Sequence, residues 1–346
     1  MKKLKFLLLI FSSTILFYNC DPNNEDLISE PVSDPQEDPV LVSNLSFNEI
    51  YTFEDNLLGG PYIGMTYSSN DNNLFISSRE NAPAGSTTEE EVFKLSLDSY
   101  QLMRKNVSPG GFITKQLTTI NDTLVSIGGT EFKFYDTSFE YAGEKSYGNN
   151  FTLSKFGIAT HNNDTYIIGG YRVDGPSREN KKIRKLRGNI TGNQFEEFIN
   201  TSETMIGASG AIVNERLHVF GGALYEDFEA TNKIFIYPLN NPQSYEEFSM
   251  TVKADVTFVH KYGEMILVAG HKGLYGTDKT SFVGLFDTTT NTFEEIKTNL
   301  DSESGTKAIH QMIVKEDKII VLFGHKASSQ LPMSKWSILS SDLLKD

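Results

Sequence analysis

A short apolar strand that ends in glycine recurs along this chain. Tyr166-Ile167-Ile168-Gly169-Gly170 is its clearest copy, and residues 124–129 (LVSIGG) and 217–222 (LHVFGG) repeat it. Weaker copies stand at 265–271 (MILVAGH) and 319–325 (IIVLFGH), and 74–78 (LFISS) has lost both glycines. Their first small residues, Ser77, Gly128, Gly169, Gly221, Gly270 and Gly324, lie 51, 41, 52, 49 and 54 positions apart. One fifty-residue unit cannot cover both faces of such a strand by itself. Neighbouring units must stack, and a period near fifty is the sequence sign of a repeat architecture.

Each unit reads as four strands, with the glycines closing the second. The units span 62–105, 112–145, 153–200, 205–250, 253–298 and 307–346. Phe195-Glu196-Glu197-Phe198, Tyr245-Glu246-Glu247-Phe248 and Phe293-Glu294-Glu295-Ile296 are one recurring fourth strand, spaced 50 and 48 apart. Their alternation sends apolar groups inward and acids into water, as an outer strand requires. The sixth unit runs out after its third strand. Residues 47–53 (FNEIYTF) form a spare alternating strand before the first unit and can supply the missing fourth. The expectation is an all-β, six-bladed β-propeller. Its blades are four-stranded and antiparallel, and an N-terminal strand in the last blade closes the ring and removes a free edge.

Phe286-Asp287-Thr288-Thr289-Thr290-Asn291-Thr292-Phe293 resembles the turn of a kelch repeat, with Phe293 where kelch repeats usually carry Trp. With the double glycines, this makes the chain from Phe47 onward resemble a divergent kelch-type β-propeller of the galactose-oxidase-like kind. The resemblance implies that first strands line a central channel and that the loops after each second strand share one channel mouth. Arg79, Tyr171, Arg172, His271, Lys272, His325 and Lys326 are then the candidate ligand-binding residues. A basic and aromatic ring on an acidic domain would draw an anionic glycan or an acidic protein partner. The resemblance also implies an alternative, a sugar mutarotase or epimerase like the kelch-type sialic-acid epimerases. His218 and His310 fall inside strand patterns and are expected in the core or channel. The copper radical oxidases of this fold need a cysteine cross-linked to tyrosine, and the only cysteine here is Cys20, so that chemistry is excluded.

The N-terminus sets the cellular address. Lys2, Lys3 and Lys5 precede an apolar run from Phe6 to Phe17, too short for an ordinary membrane span. Cys20 follows directly, an order that resembles bacterial lipoproteins of the Bacteroidetes kind, with Tyr18 and Asn19 bulkier than usual before the cysteine. Residues 1–19 are read as a signal peptide, and 20–40 as a lipidated Cys20 plus an acidic disordered tether with seven acids, four prolines and no base. Residues 41–346 are the propeller. The formal charge is -14; without the leader and the tether it is about -10, which argues against nucleic acid. The expected address is the outer membrane, held by the Cys20 lipid alone, with possible exposure at the cell surface. No nucleotide, metal or nucleophile motif stands out, so no cofactor, no metal and a monomeric binding module are expected.

Overall fold

The structure is a computed structural model. It describes residues 43–344, apart from 55–56, 69–71, 80–89, 109–115, 121–122, 129–130, 137–139, 147–152, 173–179, 187–194, 204, 273–279, 301–306 and 327–332. The leader, Cys20 and the acidic stretch lie outside the described residues, within which the regular structure is entirely β-strand.

The glycine-ended strands show why. Thr123–Ile127, Asp164–Ile168 and Arg216–Phe220 share one pattern: the first residue is half-buried and the next four are buried. A continuous apolar run suits a strand covered on both faces by stacked sheets. The outer strand Thr292–Thr298 alternates instead, with Phe293 buried between exposed Thr292 and Glu294.

Four separate four-stranded antiparallel sheets form. The first holds Gly59–Ser68, Asn73–Arg79, Glu90–Ser96 and Leu102–Ser108, and the second Gln116–Ile120, Thr123–Ile127, Glu131–Tyr135 and Tyr141–Ser146. The third holds Gly157–His161, Asp164–Ile168, Lys182–Leu186 and Phe195–Asn200. The fourth joins Lys307–Lys315, Lys318–Lys326 and Met333–Asp342 to Asn48–Thr52, the spare strand of the sequence, which pairs antiparallel with Met333–Asp342.

The expectation of six separate four-stranded sheets is corrected at the remaining strands. Ser209–Val213, Arg216–Phe220, Thr231–Pro238, Glu246–Tyr262, Met265–Lys272, Thr280–Asp287 and Thr292–Thr298 belong to one eight-stranded sheet. Its eighth member, Asn44–Leu45, runs parallel to Lys297 and Thr298. The join is the 17-residue strand Glu246–Tyr262. Its first part pairs with Thr231–Pro238, and from Ala254 onward it pairs with Met265–Lys272. No turn-forming residue interrupts Thr251-Val252-Lys253, so the ladder continues through the boundary expected at 250/253.

The repeated glycines tie one unit to the next. Gly169 and Gly170 have φ of 59° and 78°, the left-handed region that favours glycine. The Gly170 N–H donates to Met205 O at 2.7 Å, and the Gly222 N–H donates to Ala254 O at 2.9 Å. Each second glycine thus binds its strand end to the start of the following unit. First strands are linked as well. Thr119 Oγ1 donates to Tyr67 O at 3.4 Å, Gln116 Nε2 to Phe156 O at 2.8 Å and the Ser209 N–H to Thr257 Oγ1 at 3.0 Å. Gln311 Nε2 donates to Ile63 O at 3.1 Å, joining the last unit to the first. The core between those two units packs Phe53, Leu58, Ile63 and Phe93 against Ile320, Trp336 and Ile338.

Candidate functional site

The seven residues singled out in the sequence do not form one described cluster. Tyr171 and Arg172 are half-buried in a two-residue ladder with Leu153 and Ser154. Arg172 Nε is enclosed and has no hydrogen-bond partner among the described residues. His271 is buried, and its Nε2 faces Ile309 O in the next unit. Its ring meets Phe258 and His310 edge-on at 6.2 and 5.9 Å. Lys272 is ion-paired with Glu295. For Arg79, His325 and Lys326 the structure describes the backbone only. Arg79 lies opposite Glu90, His325 opposite Lys307, and Lys326 opposite Met333. His218 is a core residue at 1% exposure, and burial pushes its pKa down to about 4. The His310 ring sits 4.7 Å from that of Trp336.

The described cavity is built from other residues. It encloses about 570 Å³ between six strand segments, 65–68, 116–119, 158–162, 209–212, 258–261 and 311–314. Each belongs to the first strand of a unit, and none of the four sequence candidates with described side chains, Tyr171, Arg172, His271 and Lys272, lines it. The ionisable lining groups among the described residues are Tyr67, His161, His260 and Lys261, near the hairpin turns that join first to second strands. The Gly-Gly positions lie at the opposite ends of those hairpins, since Gly157 pairs with Ile168 while His161 pairs with Asp164. The sequence candidates lie toward the glycine ends of the hairpins, and the cavity segments lie toward their turns.

Several polar groups of the lining already hold the wall together, as the bonds from Thr119, Gln116 and Gln311 show. Around the hairpin end the turns are clasped to one another. His161 Nε2 lies 2.9 Å from Glu215 Oε1, and Asn214 Nδ2 donates to Glu264 Oε2 at 2.5 Å. Tyr262 OH donates to Asp317 Oδ1 at 2.7 Å, and Lys315 Nζ to Asn72 Oδ1 at 2.6 Å. Burial, with the Asp317 carboxylate, pushes the Tyr262 phenol up to about 12, so its clasp keeps its proton at physiological pH. These acids stand at the rim. Among the described residues no aspartate or glutamate lines the cavity, although the chain carries 45 of them.

His260 is half-buried. Its Nδ1 faces Lys261 O at 2.9 Å, which assigns the proton to Nδ1 and leaves Nε2 as an acceptor. Removal from water lowers its pKa below the usual histidine value. Thr66, Thr118 and Thr160 add hydroxyls, Asn162 an amide, and Phe258 and Tyr67 aromatic faces. The arrangement suits a small polar ligand with several hydroxyls. Among the described residues no group of three or more histidine, cysteine or acidic side chains is placed to hold a metal.

No protein-family model matches the chain, and no curated protein matches it by sequence. Among solved structures the fold is similar to that of YjhT, a kelch-type propeller protein, with a TM-score of 0.53 and 11% identity. The likeness covers 68% of this chain and 84% of that one, and at such identity it concerns the fold alone. The small all-β sheets, the glycine-ended second strands and this likeness together fit a kelch-type β-propeller.

Proposed function

We propose that this protein is a membrane-anchored envelope lipoprotein whose kelch-like propeller binds a glycan through its central cavity. The observation that carries the reading is the cavity itself. Its volume lies within the range of about 300–1,000 Å³ usual for small-molecule sites, and its lining mixes hydroxyl, amide, imidazole and aromatic groups. In this reading the eight-stranded sheet acts as two blades sharing Glu246–Tyr262, which makes six blades in all. The pairing of Asn48–Thr52 with Met333–Asp342 closes the ring, and the Gln311 and Lys315 bonds to the first unit support that closure. The anchor is the Cys20 lipid and the address the outer membrane. Cys20→Ser should move the protein from the membrane fraction to the soluble fraction of the envelope. Continued membrane retention would remove the anchor from the account.

The test of the site is a glycan array probed with the full chain beside two variants. Thr160 is exposed and lines the cavity, so Thr160→Trp should fill the mouth while leaving the fold intact. Glycan binding should drop at least about tenfold, because steric exclusion removes the whole contact. Arg172→Ala, at the opposite end of the repeat, should leave binding unchanged. The reverse result would move the site to the glycine-side mouth. A silent array would end the glycan reading.

A second reading, a sugar mutarotase, is favoured by one pair, His161 with Glu215 at 2.9 Å on the cavity rim. A histidine beside a carboxylate can carry a proton to or from an anomeric hydroxyl. Proton NMR of anomer exchange decides it: no acceleration over buffer rejects catalysis.

A further inference from the structure

We infer that the loop at residues 224–229 docks a basic segment of a protein partner. An arginine or lysine of the partner lies over the Tyr225 and Phe228 rings, with its charge against Glu226 and Asp227. The loop follows Gly222, and none of its residues lines the cavity, so the surface is independent of the glycan reading.

Three observations carry it. Exposed aromatic surface comes first. The Tyr225 and Phe228 rings lie 5.9 Å apart with a 58° tilt. Phe228 is 40% exposed and Tyr225 half-buried. Ring faces at the surface attract cations, and a guanidinium stacks on them best.

Charge is the second observation. Residues 224–229 (LYEDFE) hold three acids and no base. Glu229 is paired with Lys253. Glu226 and Asp227 are exposed and have no ion pair among the described residues. Acids elsewhere on this fold are matched by a base, as Glu197 is by Lys182, Glu203 by Lys233, Glu246 by Arg216 and Glu295 by Lys272. Two unmatched carboxylates beside two rings complement a cation carried on an apolar stem, which an arginine or lysine side chain is. The formal charge of -14 steers such a segment toward the molecule.

Shape is the third. The Leu224 N–H donates to Glu229 O at 3.0 Å, the Phe228 N–H to Leu224 O at 2.9 Å and the Glu229 N–H to Asp227 Oδ1 at 2.9 Å. Leu224 is laddered to Met205, the residue whose carbonyl accepts the Gly170 N–H. The loop is thus formed before a partner arrives, which lowers the entropic cost of binding. Phe228 is held at φ 58°, a conformation that a bulky residue adopts only when its surroundings impose it.

The test is fluorescence anisotropy with the full chain in uncharged detergent and three labelled peptides, tetra-arginine, tetra-lysine and tetra-glutamate. Tetra-arginine should bind tightest, tetra-lysine more weakly and tetra-glutamate not at all, with affinity falling as sodium chloride rises. Glu226→Gln with Asp227→Asn should weaken tetra-arginine at least about fivefold. Phe228→Gly removes the ring and suits the left-handed φ, so binding should fall at least about threefold with no loss of thermal midpoint. Glu54→Gln with Glu294→Gln removes the same charge from exposed positions elsewhere and should leave binding unchanged. Equal loss in the two double variants would overturn the site, because net charge alone would then explain the binding. Full binding by Phe228→Gly would overturn the ring contact. Failure of both basic peptides to bind, or binding of tetra-glutamate, would overturn the inference.

Discussion

A chain lacking residues 44–53 is expected to lose its cooperative fold. Asn48–Thr52 is the fourth strand of the last sheet, paired with Met333–Asp342. The segment also carries Leu45, Phe47 and Phe53, with exposures of 1%, 5% and 1%. Phe47 packs with Leu267, Ile309 and Phe323, and Phe53 packs with Leu58, Trp336 and Ile338. Truncating a buried phenylalanine costs roughly 3–5 kcal/mol, and a whole domain is stable by only about 5–15 kcal/mol. Two such losses, one buried leucine and the strand's hydrogen bonds together exceed that margin. The deletion also bares the edge of Met333–Asp342, an invitation to aggregation. The single tryptophan, Trp336, is 1% exposed and reports the loss directly. Its emission should resemble that of the denatured protein at 25 °C, with no sharp melting transition. A transition within a few degrees of the parent would show that the fold does not depend on this strand.

The second large effect is expected at the repeat glycine itself. Gly169→Ala should destabilise the protein by about 2–5 kcal/mol. Roughly 1–2 kcal/mol comes from placing a side chain at a left-handed φ, and a further ~1–3 kcal/mol comes from forcing an atom into packed space. The added Cβ would lie 2.0 Å from Met205 O, the same carbonyl that accepts the Gly170 N–H. That carbonyl must shift, and the tie to the next unit is disturbed with it. Gly263 provides the control. Its φ is also 59°, yet a Cβ there meets nothing within 4 Å. Gly263→Ala should therefore cost only about 1–2 kcal/mol. Denaturant unfolding followed at Trp336 would compare the two. Equal costs would mean that backbone conformation alone explains the conserved pattern within this chain, and that close approach between units contributes little.

Much of the fold was legible because its determinants are local and repeated. A glycine after a continuous apolar strand marks where the backbone turns left-handed and the next unit comes close, as at Gly169, Gly170 and Gly222. The alternation of Phe293, Glu294 and Glu295 marked an outer strand. The spare strand before the first unit was readable by counting, because the sixth unit was one strand short. The join at Glu246–Tyr262 was not legible. It depends on the absence of a turn between two units, and periodicity assigns each side to its own blade without showing that the ladder is continuous.

The site was less legible for a physical reason. Sequence reading followed the glycines to the loops beyond them, where His271 replaces a second glycine. His271 instead fills space between units and bonds to Ile309 O. The residues that line the cavity lie within first strands, where Thr160, His161, His260 and Lys261 look like ordinary strand positions. The one signal available was their polarity, plainest where His260 and Lys261 stand opposite Leu267 and Ile266. Only the arrangement of six such strands around one space gives that polarity a meaning.

The central claim is that a ligand enters between the first strands at the hairpin-turn end. A crystal structure of the full chain soaked with a sugar that binds on the array tests it most directly. The account predicts sugar density among segments 65–68, 158–162 and 258–261. Sugar bound beside Arg172 at the opposite mouth, or a cavity left without sugar at saturating concentration, would contradict it.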